Sequence, residues 1–248
     1  MIDIVAASGA RPQGAFRIRH IVITAANVYR RNFLNFTFVS GLISLPILLA
    51  SDYIQSAPAG VSQYEPLLIF ALTLTLQPLS TAIVLNGAFQ DMRGQPVRLG
   101  ESIAAAIARM PTLFGLTVLM TLITMLGLVL LIVPGLMLLA RWYVAVPVCM
   151  VERRDPVSSL DRSQWLTKGH RWVLFGLYLF VVILATIGDS VSARIGFTLG
   201  GDVGSLACQT VWWGISEALG SVMIVVAYHD LRVAKEGIDI DLIASVFE

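Results

Sequence analysis

Charged side chains are scarce in this sequence of 248 residues, and they make up only 13% of it. A soluble domain typically carries about a quarter charged residues. Hydrophobic residues make up 56% of the chain, and they are gathered into long runs. Several runs reach the ~20 residues that an α-helix needs to cross a hydrocarbon core about 30 Å thick. The sequence therefore predicts a helical membrane protein.

The sequence also lacks the patterns that mark common catalytic and nucleotide-binding sites. It contains no HExxH, GxSxG, P-loop or CxxC pattern. The pair Gly201-Asp202 does not complete the GxGD pattern of intramembrane aspartyl proteases, because Leu199 replaces the first glycine. The histidines, His20, His170 and His229, lie in separate segments without the usual metal-ligand spacing. We therefore expect no catalytic residue, no metal site and no cofactor.

Six apolar runs predict six transmembrane helices. They lie at residues 33–51, 66–89, 111–132, 135–151, 172–188 and 208–228. The third and fourth runs form one apolar stretch about twice as long as a single crossing needs, and Val133-Pro134-Gly135 is its natural break. The predicted fold class is an all-α polytopic membrane bundle, with residues 1–248 forming a single integral membrane domain.

The distribution of positive charge predicts the orientation of these helices. Of the 17 Lys and Arg residues, 15 fall in segments that would share one side of the membrane. The positive-inside rule assigns that side to the cytoplasm. We therefore expect a multi-pass protein of the cytoplasmic (inner) membrane with its N and C termini in the cytoplasm.

Two of the segments that carry the Lys and Arg residues have the periodicity of amphipathic helices. Helical spacing places Ile21, Ala25 and Val28 on one face of residues 18–31, and Leu99, Ile103 and Ile107 on one face of residues 98–110. These stripes are too narrow to span a bilayer, so we expect both helices to lie in the cytoplasmic membrane interface. The third basic segment, residues 156–170, shows no clean stripe.

The ends of the second, fourth and sixth predicted spans are similar to one another. Each has an acidic residue followed by arginine, in Asp91-Met92-Arg93, Glu152-Arg153-Arg154 and Asp230-Leu231-Arg232. The pattern suggests three repeats of an interfacial helix followed by a transmembrane hairpin. Such repeats occur in transporters, but simple duplication of a stable hairpin produces them equally well.

Arg141, Glu217 and Gln77 form a candidate intramembrane polar site. At 1.5 Å per residue from the outer ends of spans four and six, Arg141 lies about 10 Å deep and Glu217 about 14 Å deep. An unpaired charge at such depth costs at least about 2.5–3.5 kcal/mol, so we expect these two side chains to form an ion pair. A structural pair, an Arg141 that snorkels outwards and a substrate or lipid site all remain open as interpretations.

The stretch from Pro134 to Trp172 carries a family resemblance. It contains Pro134-Gly135, Arg141-Trp142, Ser159-Leu160-Asp161-Arg162-Ser163, Leu166-Thr167-Lys168-Gly169 and Arg171-Trp172. It resembles the bacterial glycerophosphoryl diester phosphodiesterase membrane-domain family, which implies a multi-helix membrane bundle. Some members of that family also carry a catalytic phosphodiesterase barrel. This chain shows no soluble block with paired carboxylates, so the resemblance implies the membrane domain only.

The leading functional hypothesis from the sequence is a non-enzymatic membrane module that engages lipids or a partner protein. The alternative is a small transporter or channel subunit with a polar path at Arg141, Glu217 and Gln77. An enzyme ranks third, and no nucleic-acid partner is expected. A water-filled cavity around Arg141 and Glu217, open to one side, would favour transport, whereas a dry bundle with an apolar groove at the cytoplasmic interface would favour lipid or partner binding.

Overall fold

A computed structural model describes residues 18–56 and 65–236, and the regular secondary structure in these two ranges is α-helical. The helices are α1 (Ile18–Arg31), α2 (Phe33–Ser56), α3 (Glu65–Met92), α4 (Leu99–Ala108), α5 (Met110–Leu130), α6 (Ile132–Arg141), α7 (Ala145–Val151), α8 (Pro156–Thr167) and α9 (Arg171–Glu236). The all-α fold class predicted from the sequence is confirmed.

The long helix α9 is a hairpin of two arms, residues 171–199 and 202–236. Gly200 and Gly201 interrupt it, and Gly201 has φ 61° and ψ −143°, a backbone conformation that favours glycine. A Cβ placed on Gly196 would lie 2.3 Å from the carbonyl oxygen of Gly204, so the backbones of the two arms nearly touch. The Gly-rich connection between predicted spans five and six is therefore mostly helical, with one tight turn.

Four helices in the described ranges are long and apolar enough to cross a membrane. They are α2 over Phe33–Ile54, α3 over Pro66–Met92, α5 over Met110–Leu130, and α9. The predicted span at residues 135–151 is divided between two short helices, α6 and α7, because the chain leaves the helical path at residues 142–144. The count of six crossings stays a prediction, with the two arms of α9 corresponding to predicted spans five and six.

The outer surfaces of the long helices are apolar. Exposed side chains include Leu34, Phe38, Leu130 and Phe197, each at least 60% accessible. Apolar surface on this scale is unusual for a soluble monomer. Together with the helix lengths it indicates a membrane protein.

Small residues allow α2 and the second arm of α9 to pack closely. A Cβ placed on Gly214 would lie 2.6 Å from the carbonyl oxygen of Thr37 and 3.1 Å from the Cα of Gly41. Close approach through small residues is the usual way in which membrane helices gain packing energy. The second arm is thereby fixed between α2 and α3.

The short helices α1 and α4 use their apolar residues differently. α1 buries the stripe that the sequence predicts for it. α4 instead buries Ser102 and Ala106, and its apolar residues Ile103 and Ile107 are exposed. The predicted stripe of α4 is therefore divided, because Leu99 packs against the core whereas Ile103 and Ile107 face away from the bundle.

The helix α8 has a buried face that the apolar pattern does not reveal. The carboxylate of Asp155 caps its first turn by accepting a 3.1 Å hydrogen bond from the Ser158 amide. The buried residues are Ser159, Leu160, Ser163, Leu166 and Thr167. Hydroxyl side chains make up much of this face, so a search for a hydrophobic stripe misses the helix.

Candidate functional site

Glu217 lies in the middle of the second arm of α9, about 24 Å along the helix from the turn at Gly201. Its carboxylate accepts hydrogen bonds from α3. The Thr81 hydroxyl donates to it at 3.1 Å, and the Gln77 amide, oriented with its nitrogen toward Glu217, donates to the two carboxylate oxygens at 3.2 and 2.9 Å. The structure therefore brings together two of the three predicted site residues, Gln77 and Glu217.

The sequence of α3 explains why it can serve this carboxylate. Gln77 and Thr81 are four residues apart, so they lie on one face of the helix. Pro78, inside the same turn, has no amide hydrogen and leaves a backbone carbonyl of the preceding turn without its helical partner. This part of α3 is therefore both polar and locally weakened.

A cavity of about 410 Å³ lies beside Glu217, and we call it the polar cavity. Its lining includes Gln77, Thr81, Tyr143, Tyr178, Trp213 and Glu217. Val182 also lines it and is 38% exposed, so the cavity reaches the outer surface of the first arm of α9. Its volume lies within the range typical of small-molecule sites.

A second cavity of about 510 Å³ follows along the same helix, and we call it the apolar groove. Phe180, Ile183, Ile187 and Trp212 are among its lining residues. The lining residues of the two cavities alternate along residues 178–187 of the first arm, and no residue lines both. At helical spacing the two sets fall on different faces, so the polar cavity and the apolar groove lie on opposite sides of one helix at a similar height.

The expected ion pair between Arg141 and Glu217 is wrong. Arg141 ends α6, and its carbonyl oxygen accepts hydrogen bonds from Ser163 and Thr167 of α8 at 2.9 and 3.1 Å. Its guanidinium lies near enough to Arg171 for the two positive charges to repel each other. The depth estimate for Arg141 assumed an unbroken span, but the chain bends after Arg141 and places it beside α8 and the start of α9.

Ion pairs and a histidine–aspartate hydrogen bond hold the short helices against one end of the bundle, which we call the basic end. The acidic residue of each repeat takes part. The contacts are Arg31 to Asp91 at 2.6 Å, Arg162 to Glu152 at 3.1 Å and His20 to Asp230 at 2.9 Å. These pairs connect α1 to the ends of α3 and α9, and α8 to the end of α7. The sequence repeat thus corresponds to a repeated anchoring contact.

Glu236 completes the basic end at the last residue of α9. It accepts hydrogen bonds from Arg162 and, at 3.0 Å, from Arg232. Burial alone would raise the pKa of Glu236, but the hydrogen bonds and charges of these arginines outweigh it and hold the pKa below its usual value. The Arg162 guanidinium also lies 4.8 Å from the centre of the Trp165 ring.

The histidines do not assemble a metal site. His229 lies 3.5 Å from Asp230, the residue that also binds His20, whereas His170 belongs to the turn between α8 and α9. Within residues 18–56 and 65–236, no group of three or more His, Cys, Asp or Glu side chains could hold a metal ion.

Comparisons with known proteins add no relative. Family models, curated proteins and solved structures were searched, and none matches this chain. The resemblance of residues 134–172 to the glycerophosphoryl diester phosphodiesterase membrane-domain family therefore stays a prediction.

Proposed function

We propose that this protein is a non-enzymatic integral membrane module that engages lipids. The observation that carries this proposal is that the first arm of α9 lines a polar cavity on one face and an apolar groove on the other, at a similar height. A lipid combines a polar group with flexible acyl chains, so its polar group would enter the polar cavity while an acyl chain passes around the arm into the groove. The polar group would carry a hydroxyl or an amine, because the Glu217 carboxylate accepts hydrogen bonds and repels anions.

The same proposal places the basic end in the cytoplasm of a cell with an inner membrane. The excess of Lys and Arg supports this orientation. The exposed Ile103 and Ile107 of α4 support a position of that helix in the membrane interface, where apolar side chains can enter the lipid. In this arrangement α2, α3, α5, the α6–α7 pair and the two arms of α9 form six crossings.

Photo-crosslinking with a lipid tests the proposed binding. The purified full chain is reconstituted with a diacylglycerol that carries a photoreactive acyl chain, and labelled peptides are identified by mass spectrometry. We expect labels in the apolar groove around Ile183 and Ile187. We expect Glu217→Leu to reduce this labelling at least tenfold, because it removes the acceptor for the lipid hydroxyl.

The matched control is Thr186→Val, which changes an exposed residue of the same arm outside both cavities. It should leave the labelling unchanged. Uniform labelling of the outer surface that is insensitive to Glu217→Leu would contradict the proposal. Crosslinks to a second protein in native membranes at the same residues would favour a partner protein instead.

A small transporter or channel subunit is the second candidate. The observation that favours it is the cluster of Gln77, Thr81 and Glu217 beside Pro78 in the apolar part of the bundle, where polar side chains often mark ion paths. Arg141 is not part of this path. Liposomes that hold a pH-sensitive dye test the candidate, since it predicts a proton flux that Glu217→Gln removes and Thr186→Val keeps. A proton flux equal to that of empty liposomes would exclude proton conduction as a function of this protein.

A further inference from the structure

Two arginines near the basic end have no acidic partner in the described part of the chain. The Nε atoms of Arg141 and Arg171 are buried and make no hydrogen bond. Neither guanidinium forms an ion pair within residues 18–56 and 65–236. Both side chains are half-buried, and a buried N–H group without a partner loses hydration without compensation. An anion held between the two arginines would relieve both this loss and their mutual repulsion.

The backbone holds the two arginines close together. The Thr167 hydroxyl donates to the carbonyl oxygen of Arg141 at 3.1 Å. The His170 amide donates to the carbonyl oxygen of Thr167 at 3.0 Å. Arg171 follows directly and begins α9, so the positive end of this helix adds to the charge of the side chains. The exposed Lys168 lies in the same turn.

Two carboxylates of the basic end are already engaged by other arginines. Glu152 binds Arg154 and Arg162, and Glu236 binds Arg162 and Arg232. They therefore leave the charges of Arg141 and Arg171 uncompensated.

Lys235 adds a further positive charge near His170. The pKa of His170 lies below its usual value, first because of burial and second because of the positive charge of Lys235. A positive potential of this kind disfavours further protonation and attracts anions.

We propose that Arg141, Arg171 and Lys168 form a binding site for a phosphate group. Arginine pairs bind phosphate through parallel hydrogen bonds, and each guanidinium here has an Nε hydrogen without a partner in the described part of the chain. The phosphate could belong to a lipid headgroup at the membrane surface or to a free phosphate ion. Neither Arg141 nor Arg171 lines the polar cavity at Glu217, so this phosphate site is distinct from the proposed lipid site and does not depend on it.

Thermal unfolding of the purified full chain in a neutral detergent tests this site. The protein is titrated with phosphatidylglycerol, with phosphatidylcholine or with inorganic phosphate. Stabilisation by phosphatidylglycerol alone identifies a lipid headgroup as the ligand, and stabilisation by inorganic phosphate identifies a free anion. We expect Arg141→Gln and Arg171→Gln each to weaken the binding of the stabilising ligand at least tenfold.

The same variants separate binding from a structural role. Without ligand, Arg171→Gln should raise the unfolding temperature, because it removes the repulsion between two unpaired charges. Arg98→Gln is the matched control, since Arg98 lies at the same end but pairs with Glu101 at 2.9 Å, and it should leave the ligand response intact.

The proposal is overturned if no ligand stabilises the protein, or if Arg141→Gln and Arg171→Gln keep the full response. It is also overturned if both variants only lower the ligand-free stability. Crosslinking at Glu217 should persist in Arg171→Gln, so this site and the lipid site of the preceding section can fail independently.

Discussion

At the scale of single residues, the hydrogen bonds of Glu217 set its contribution to stability. Glu217→Gln keeps a carbonyl oxygen that can accept from Thr81 and Gln77, so we expect little change. Glu217→Leu leaves those two donors without their acceptor, which should cost about 1–3 kcal/mol if they stay dry. Thermal unfolding in detergent measures both variants. A Glu217→Leu protein as stable as the parent would show that water or lipid already satisfies these donors.

Glu236 gives a prediction for pH dependence. Its pKa is lowered in the folded protein, so its ion pairs with Arg162 and Arg232 stabilise the fold above its usual pKa of 4.5 and lose effect as the pH falls through the lower, folded-state value. Glu236→Gln should therefore lower the unfolding temperature at neutral pH. The difference from the parent should shrink as the sample is acidified below the usual pKa. A difference that stays constant across this range would contradict the assigned role.

Residue-level predictions from the sequence succeeded where depth could be counted along a regular helix. Gln77 and Glu217 lie in α3 and α9, and the structure joins them. Arg141 was misplaced because no local signal in the sequence shows that α6 ends there. The bend leaves the Arg141 carbonyl oxygen outside the helical pattern, and the hydroxyl groups of Ser163 and Thr167 on the separate helix α8 donate hydrogen bonds to it.

At the scale of elements, contact between the two arms of α9 depends on glycine. Gly196→Ala would place a methyl group against the backbone of Gly204, so we expect a loss of about 1–3 kcal/mol, the usual cost of overpacking. Gly176→Ala is the matched control, because it lies in the same arm with open space around its Cβ position. The control should be neutral or slightly stabilising, since alanine favours helix. Equal effects of the two substitutions on thermal stability would contradict the close contact.

The sequence predicts a helix well when the buried face of that helix is apolar, and poorly when the buried face carries polar side chains. The stripe of α1 is buried as expected, and the long apolar runs are helical. The face of α8 was missed because serine and threonine pack it. The arms of α9 extend beyond the predicted ends because Gly196 and Gly204, which read as loop residues, instead permit tight helix packing.

At the scale of the whole molecule, the orientation in the membrane is the main testable consequence. A cysteine at Thr198, beside the turn of α9, should react with an impermeant thiol reagent in intact cells once Cys149 and Cys208 are replaced. A cysteine at Val157, exposed in α8, should react only after the cells are opened. The expectation follows from the placement of the basic end in the cytoplasm. The reverse labelling pattern would show that the protein has the opposite orientation in the membrane.

The contacts of α9 also impose an order on biosynthesis. His20 and Asp230 are 210 positions apart, and the α2 surface around Gly41 packs on Gly214. The helices α1 and α2 are therefore synthesised long before the second arm of α9. Their contact surfaces stay uncovered until that arm is inserted. Nascent chains that stop before Gly214 lack this closing contact, so they should be preferred substrates for membrane quality-control proteases.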